Sequence, residues 1–273
     1  MRLHTIALFF CLLAGAAVSA FADKKEDGAV VEPPYDLPVP DALPQVARRD
    51  KVLTHARELH PLVHHAVAQM QGIDVSHYQG NINWDGVARE ENVKFAYIKA
   101  TEGGNLVDAC YTRNLIGAKR VGIPVGVYHF FRPSVSPLVQ LENYRSVVDP
   151  HHQDLIPIID VEVRGRVSLA QFHHRLKAML EGVERMFGVK PIIYTGVNFY
   201  AKYLKGRYKN YRFMVARYAE EFPGLCEDVP ILIWQYSSTA QVQGIEGDVD
   251  RSVFLDNYSL ADILLPVTSQ GKK

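Results

Sequence analysis

Leu155-Ile156-Pro157-Ile158-Ile159-Asp160-Val161-Glu162-Val163 reads as a strand that stays apolar until its end and then carries two acids. Successive strand side chains face opposite sides, so Asp160 and Glu162 share one face, roughly 6.5–7 Å apart along the backbone. Ile159, Val161 and Val163 face the other side, where helices would cover them. Taking two carboxyl groups out of water is costly unless they have firm partners or a task. Two readings follow: a structural pair held by Arg or Lys from neighbouring strands, or a pair that does chemistry.

Working outward from this segment, short β-like runs alternate with amphipathic ones. The predicted strands are 72–76, 93–101, 124–131, 155–163, 191–196, 212–218, 231–236 and 248–254. Helical patterns lie at 106–120, 137–148 and 168–187, the last with Ser168 as N-cap and Gly188 as its stop. Repeated β-then-α at this spacing predicts parallel strands joined by crossover helices. Eight strands within 72–267 predict a modified, compressed (β/α) TIM-like barrel with some helices missing, since a full barrel takes about 250 residues. The interval between Tyr236 and Asp248 is too short for a crossover helix, so the closing strands are expected to be antiparallel. A doubly wound open sheet is the alternative, weakened because no glycine-rich nucleotide fingerprint follows the first strand.

In such a barrel, active sites are built where the parallel strands end. Asp74, in Gly72-Ile73-Asp74-Val75-Ser76, repeats the placement of Asp160. Asp250, in Gly247-Asp248-Val249-Asp250-Arg251, adds a fourth acid on the last strand, which neighbours the first when a barrel closes. Close carboxylates raise one another's pKa and keep one protonated near neutrality, as a general acid at a glycosidic oxygen requires. Aromatics gather on the same strand ends. Tyr97 alternates with Lys99, Tyr128 with Phe130 and Trp234 with Tyr236, while Tyr194 and Tyr218 end two further strands. Rings with a polar tip suit sugar faces and hydroxyls.

The chain has 273 residues, with 30 basic and 30 acidic, so its formal net charge is zero. That balance argues against a dedicated nucleic-acid binder. Residues 1–20 read as a signal peptide, with Arg2 before the apolar run 6–18 and Val18-Ser19-Ala20 as a cleavage site, which predicts export to the periplasm or beyond. The run is too short to span a bilayer, and no stable membrane span is expected. Residues 21–71 read as a proline- and charge-rich linker with a short helical pattern over 51–70, and 268–273 as a polar tail. Without the signal, Cys110 and Cys226 remain, as one disulfide or two buried thiols. His55, His60, His64 and His65 lack a Cys or carboxylate cluster, and no metal or other cofactor is expected.

At this point the sequence resembles the family 25 glycoside hydrolases, the Chalaropsis-type lysozymes. Matching segments run in order: Gly72-Ile73-Asp74-Val75-Ser76-His77-Tyr78-Gln79-Gly80 with Ile82-Asn83-Trp84, then Phe95 to Gly103, then Gly122 to Phe130. Ile159-Asp160-Val161-Glu162, Ile193-Tyr194-Thr195, Ala216-Arg217-Tyr218, Trp234-Gln235-Tyr236 and Val249-Asp250 complete the set. The resemblance implies a muramidase that cleaves the β-1,4 bond between N-acetylmuramic acid and N-acetylglucosamine in peptidoglycan. It implies Glu162 as general acid, with Asp160, Asp74 and Asp250 as the other active-site carboxylates. Tyr128, Tyr194 and Trp234 match cleft aromatics, and Tyr97, Tyr218, Lys99, Phe130 and Gln235 are further candidates for substrate contact.

Two routes suit these acids. In one, Glu162 protonates the leaving oxygen while Asp160 assists the substrate's own N-acetyl group, with retention; in the other, water attacks directly, with inversion. A catalytically inactive glycan-binding module on the same fold is the competing reading, and the intact set of four acids speaks against it. A metal-dependent hydrolase would need histidines on strand ends, and His129 alternates away from Tyr128 into a packed position. Arg251 follows Asp250 where relatives commonly carry smaller or amide residues. Wall-binding repeats of the kind many relatives carry are not expected after the barrel; the resemblance implies peptidoglycan glycan strands as the partner, and a monomer is expected.

Overall fold

The computed structural model describes residues 70–219, 222, 229–255 and 258–266. The signal, nearly all of the linker with its helical pattern and four histidines, Cys226 and the tail lie outside the described residues. In chain order, the strands are β1 (Gln71–Val75), β2 (Val93–Glu102), β3 (Leu106–Val107), β4 (Val125–Phe130), β5 (Ile158–Asp160), β6 (Ile192–Gly196), β7 (Phe213–Ala216), β8 (Ile231–Ala240) and β9 (Val249–Phe254). The α-helices of four residues or more are α1 (Trp84–Val87), α2 (Tyr111–Arg120), α3 (Pro137–Arg145) and α4 (Leu169–Phe187).

Eight strands close into a barrel because β1 pairs on both sides, parallel to β2 and antiparallel to β9. That closure excludes the open doubly wound sheet. β1, β2 and β4 to β8 run parallel, and β9 runs antiparallel to both of its neighbours, as the short interval after Tyr236 predicts. β3 hangs outside the ring as a short antiparallel edge on β2.

Strand alternation sorts the apolar residues into two layers. Ile73, Val75, Ala96, Ile98, Val125, Val127, Ile159, Ile193 and Val215 face outward under the helices. Phe95, Tyr97, Ile158, Ile192, Met214 and Phe254 fill the interior, joined by Ile263 from the segment after β9. This segment stoppers the end where the parallel strands begin: Leu155 bridges Leu264, and the Ile156 N–H donates to the Ile263 carbonyl at 2.7 Å. The opposite end stays open and polar.

Several boundaries differ from the sequence reading. The strand read over 155–163 shrinks to Ile158–Asp160, because Pro157 has no N–H to give and Leu155 and Ile156 turn to the C-terminal stopper. Glu162 therefore sits on the loop just past the strand. The helix read over 106–120 begins only at Tyr111; Gly103 and Gly104 turn the chain back, so Leu106 and Val107 form β3. Helix α3 ends at Arg145 rather than at 148. β1 starts at Gln71, inside the stretch read as linker, where Gln71 Oε1 accepts from Arg251 Nε at 2.7 Å and Tyr236 Oη at 3.1 Å. Cys110 is a free, buried thiol.

Helix α4 follows its sequence signals. Ser168 and Gln171 form a capping box, and Gly188 ends the helix in the left-handed region at φ 71°. Phe172, Leu176, Met179, Leu180, Val183 and Phe187 make its buried stripe.

A barrel this small accommodates two large rings only where neighbouring strands carry glycine. A Cβ on Gly126 would lie 2.3 Å from Tyr97 Cε1, and one on Gly72 2.2 Å from Phe95 Cε2. Both rings are fully enclosed, and the Tyr97 hydroxyl is tied to the Ile156 carbonyl at 3.0 Å. Gly126→Ala is expected to destabilise the protein by about 2 kcal/mol or more through overpacking. Urea unfolding checks this, and an unchanged midpoint would show that the interior yields.

Candidate active site

The open mouth is lined, strand by strand, by one residue or two from each element. β1 gives Asp74, and its backbone lies directly opposite Asp250 of β9. β2 gives Lys99 in register with Tyr128 of β4, Phe130 of β4 pairs with Asp160 of β5, and Asp160 pairs with Tyr194 of β6. Ala216 of β7 pairs with Gln235 of β8. The four acids named from the sequence thus converge on one end of the barrel.

Their environment sets their charge. Burial, and then the neighbouring Glu162, holds Asp160 well above the usual carboxylate range. Its Oδ1 is enclosed, with no hydrogen-bond partner among the described residues. Glu162 is also pushed up by burial, against the pull of Arg132 and Lys99. Desolvated like charges this close keep a proton near neutrality. Asp74 is raised to about 8 by burial and by Asp250, although the amide of Gln235 partly offsets this. Burial and Glu162 raise Asp250 to about 7.

Two networks support the acids from opposite sides. Gln235 Nε2 donates to Asp74 Oδ2 at 2.9 Å, while its Oε1 accepts from Tyr194 Oη at 2.8 Å and Tyr218 Oη at 3.3 Å. One amide therefore fixes an acid and two tyrosines. Across the mouth, Lys99 Nζ donates to Glu102 Oε2 at 2.6 Å, and the Arg132 guanidinium holds the other Glu102 oxygen. Both cations lie over the Phe130 ring, at 5.5 Å for Lys99 and 4.4 Å for Arg132. Burial pushes Glu102 up, but hydrogen bonds from Lys99 and Arg132 bring its pKa below the usual range. The Tyr128 hydroxyl is raised well above its usual range, first by burial and then by Asp160, Asp74 and Asp250, which places it among the acids.

Two sequence candidates are not brought to the mouth. Tyr97 belongs to the enclosed interior beneath it. Trp234 is 2% exposed, and its Nε1–H donates to the Arg217 carbonyl at 2.8 Å, between the rings of Phe222 and Tyr236. On β8 it is Gln235 that faces inward, so the aromatic of this segment supports the wall from outside. Arg132 was missed by sequence reasoning. Its signal was available, since it follows β4 directly in Phe130-Phe131-Arg132-Pro133, at the end where the acids lie. His129 is fully buried, with Nδ1 bound by Thr101 Oγ1 at 2.7 Å and Nε2 by Gln140 Oε1 at 3.0 Å. Among the described residues no group of three His, Cys, Asp or Glu side chains is arranged to hold a metal ion.

The model of the glycosyl hydrolases, family 25, matches residues 73–245, the segment that carries all but one of the mouth acids. The chain belongs to glycosyl hydrolase family 25. It is 40% identical over 189 residues to the uncharacterised protein YegX of Escherichia coli K12, covering 68% of this chain and 69% of that one. With lysozyme M1 of Streptomyces globisporus it shares 34% identity over 216 residues, covering 71% of this chain and 70% of the lysozyme. A family 25 glycosyl hydrolase from Bacillus anthracis superposes with a TM-score of 0.64 at 30% identity, covering 70% of this chain and 90% of that structure. Family 25 membership makes the chain a glycoside hydrolase, and the mouth of the barrel is where its carboxylates meet.

Proposed function

We propose that this family 25 enzyme is a muramidase that hydrolyses the N-acetylmuramyl β-1,4 N-acetylglucosamine bond of peptidoglycan, with Glu162 as general acid. The observation that carries the reading is the convergence of Asp160 and Glu162, both desolvated, at the mouth of a family 25 barrel. Similarity to lysozyme M1 supports the choice of substrate.

Glu162 gives its proton to the leaving glycosidic oxygen as the bond to the anomeric carbon breaks. The acetamido oxygen of the same sugar attacks that carbon from the opposite face and forms an oxazolinium ring. Asp160, ionised once the shared proton resides on Glu162, accepts the acetamido N–H and steadies the positive ring. Water then opens the ring, losing its proton to the Glu162 carboxylate, and the product retains the β configuration. Lys99 favours the ionised form of both Asp160 and Glu162, and Arg132 that of Glu162, against the burial that raises both. Asp74 and Asp250 shape the far side of the cleft, and Tyr128, Tyr194, Tyr218 and Phe130 line it.

Digestion of peptidoglycan followed by borohydride reduction tests the bond specificity. Muramitol ends are expected; glucosaminitol ends, or binding without cleavage, would overturn the reading in favour of a different glycosidase or a non-catalytic module. Early NMR of the released anomer tests the route. A β product is expected, and an α product would replace it by direct attack of water. Export through a signal peptide at residues 1–20 is part of the same proposal, since the polymer lies outside the cytoplasm. No helix among the described residues is long and apolar enough to cross a membrane.

A further inference from the structure

The turn after β1 carries two aromatic side chains that the mechanism does not use. Tyr78 is 80% exposed, the most exposed of the large hydrophobic side chains described. Its ring lies 4.1 Å from that of His77, tilted by 35°. An aromatic ring left in water on a loose loop would be unremarkable. This one stands on a turn held from several sides.

Ser76 and Gln79 close a capping box around the turn, with the Tyr78 N–H donating to Ser76 Oγ at 3.2 Å. Gln79 Nε2 reaches the Asp248 carbonyl at 3.1 Å, which ties the turn to the start of β9. Arg113 of α2 donates to the Gly80 carbonyl at 2.6 Å. Beneath the turn, Asp108 has no exposed side-chain surface. Its Oδ2 accepts from the His77 backbone N–H at 3.0 Å and binds His77 Nδ1 at 2.6 Å, and its Oδ1 accepts from the Cys110 N–H at 2.9 Å. A buried carboxylate fixes the tautomer with the proton on Nδ1, which leaves Nε2 of the neutral ring as an acceptor. The His77 side chain is 40% exposed, and Nε2 has no partner among the described residues.

The position relates this turn to the cleft. His77 and Tyr78 follow Asp74 by three and four residues, and Asp108 is close enough to act on the Tyr128 hydroxyl inside the mouth. On the Arg113 side, an open groove of about 660 Å³ runs past Ile82, Trp84, Thr112 and Ile116. A rigidly presented ring with a hydrogen-bond acceptor beside it suits a pyranose, whose C–H face stacks while its hydroxyls and amide donate.

We propose that His77 and Tyr78 form a distal glycan subsite on the β1 rim, where an N-acetylated hexosamine beyond the two flanking the scissile bond stacks on Tyr78 and donates an O–H or N–H to His77 Nε2. The assignment rests on the muramidase reading. It predicts that the enzyme prefers long glycan strands to short ones, and that this preference resides in the turn.

The test compares kcat/KM on purified long peptidoglycan strands with kcat/KM on the shortest fragment that the wild type cleaves. Tyr78→Ala is expected to lower the long-to-short ratio about five- to tenfold through KM, and Tyr78→Trp to preserve it. His77→Gln, which keeps an acceptor but shifts its position, is expected to lower the ratio by a smaller factor. Thermal unfolding of each variant controls for damage to the turn. A Tyr78→Ala enzyme with the wild-type ratio, or one that loses activity equally on both substrates, would overturn the subsite. A wild type that cleaves neither substrate would instead overturn the muramidase reading.

Discussion

Glu162→Gln is expected to lower kcat on peptidoglycan by about three orders of magnitude with little change in KM. Glutamine keeps the size of the side chain but has no proton to give at the moment the glycosidic bond breaks, and a positioned general acid contributes roughly 10²–10⁴-fold. The loss should depend on the leaving group. An aryl glycoside whose phenolate departs without protonation should suffer far less, because the missing step is then not needed. The wild-type profile should fall at high pH as Glu162 ionises, and the variant should lack that limb. A variant retaining more than about a tenth of wild-type turnover would remove Glu162 from the acid role and turn attention to Asp250, which shares the mouth and is raised to about 7.

Asp74→Asn should stabilise the fold at alkaline pH while impairing turnover. The folded protein holds a proton on Asp74 up to about pH 8, whereas the unfolded chain releases it near 3.8. Stability tied to that proton is fully present below the unfolded value and is lost as pH rises through the folded one. Asparagine can still accept from Gln235 but carries no charge to desolvate. The gain should therefore be near zero at pH 4, grow through neutrality, and level off above about pH 8. Asp74 keeps a partly exposed edge at the mouth, and with that screening the plateau should reach roughly 3 kcal/mol. His129 works the other way, because burial lowers it to about 4. Its contribution is present above the unfolded value near 6.5 and fades as pH falls toward 4, so above about 6.5 the carboxylates alone should set the slope. Urea titrations at several pH values check the sign. A constant offset between variant and wild type would mean that Asp74 is not held protonated.

All eight strands of the ring were legible in the sequence because each pairs an apolar outward set with a distinct inward set. The antiparallel closure was legible from loop length alone. What failed was local. Leu106 and Val107 look helical beside 108–120, yet two glycines before them and the Asp108 carboxylate after them turn the chain into an edge hairpin. The acids were readable because a carboxyl group on an apolar strand is conspicuous. The aromatics were not, since Tyr97 and Trp234 are as suited to packing as to binding, and only the facing of each strand separates the two uses. Arg132 and Gln235 act by holding other side chains, and a sequence shows residues more readily than the pairs they form.

The ring also constrains the order of events in time. β1 has no complete set of neighbours until β9 exists, because Gln71 to Asp74 pair with Val253 to Asp250 across nearly the whole domain. A chain emerging residue by residue cannot close until position 254 is available, and the stopper at Ile263 comes later still. Long-range closure of this kind makes folding slow and cooperative. A chain cut before β9 would present two open sheet edges, and its fate should be governed by edge-to-edge association rather than by loss of one strand's contacts.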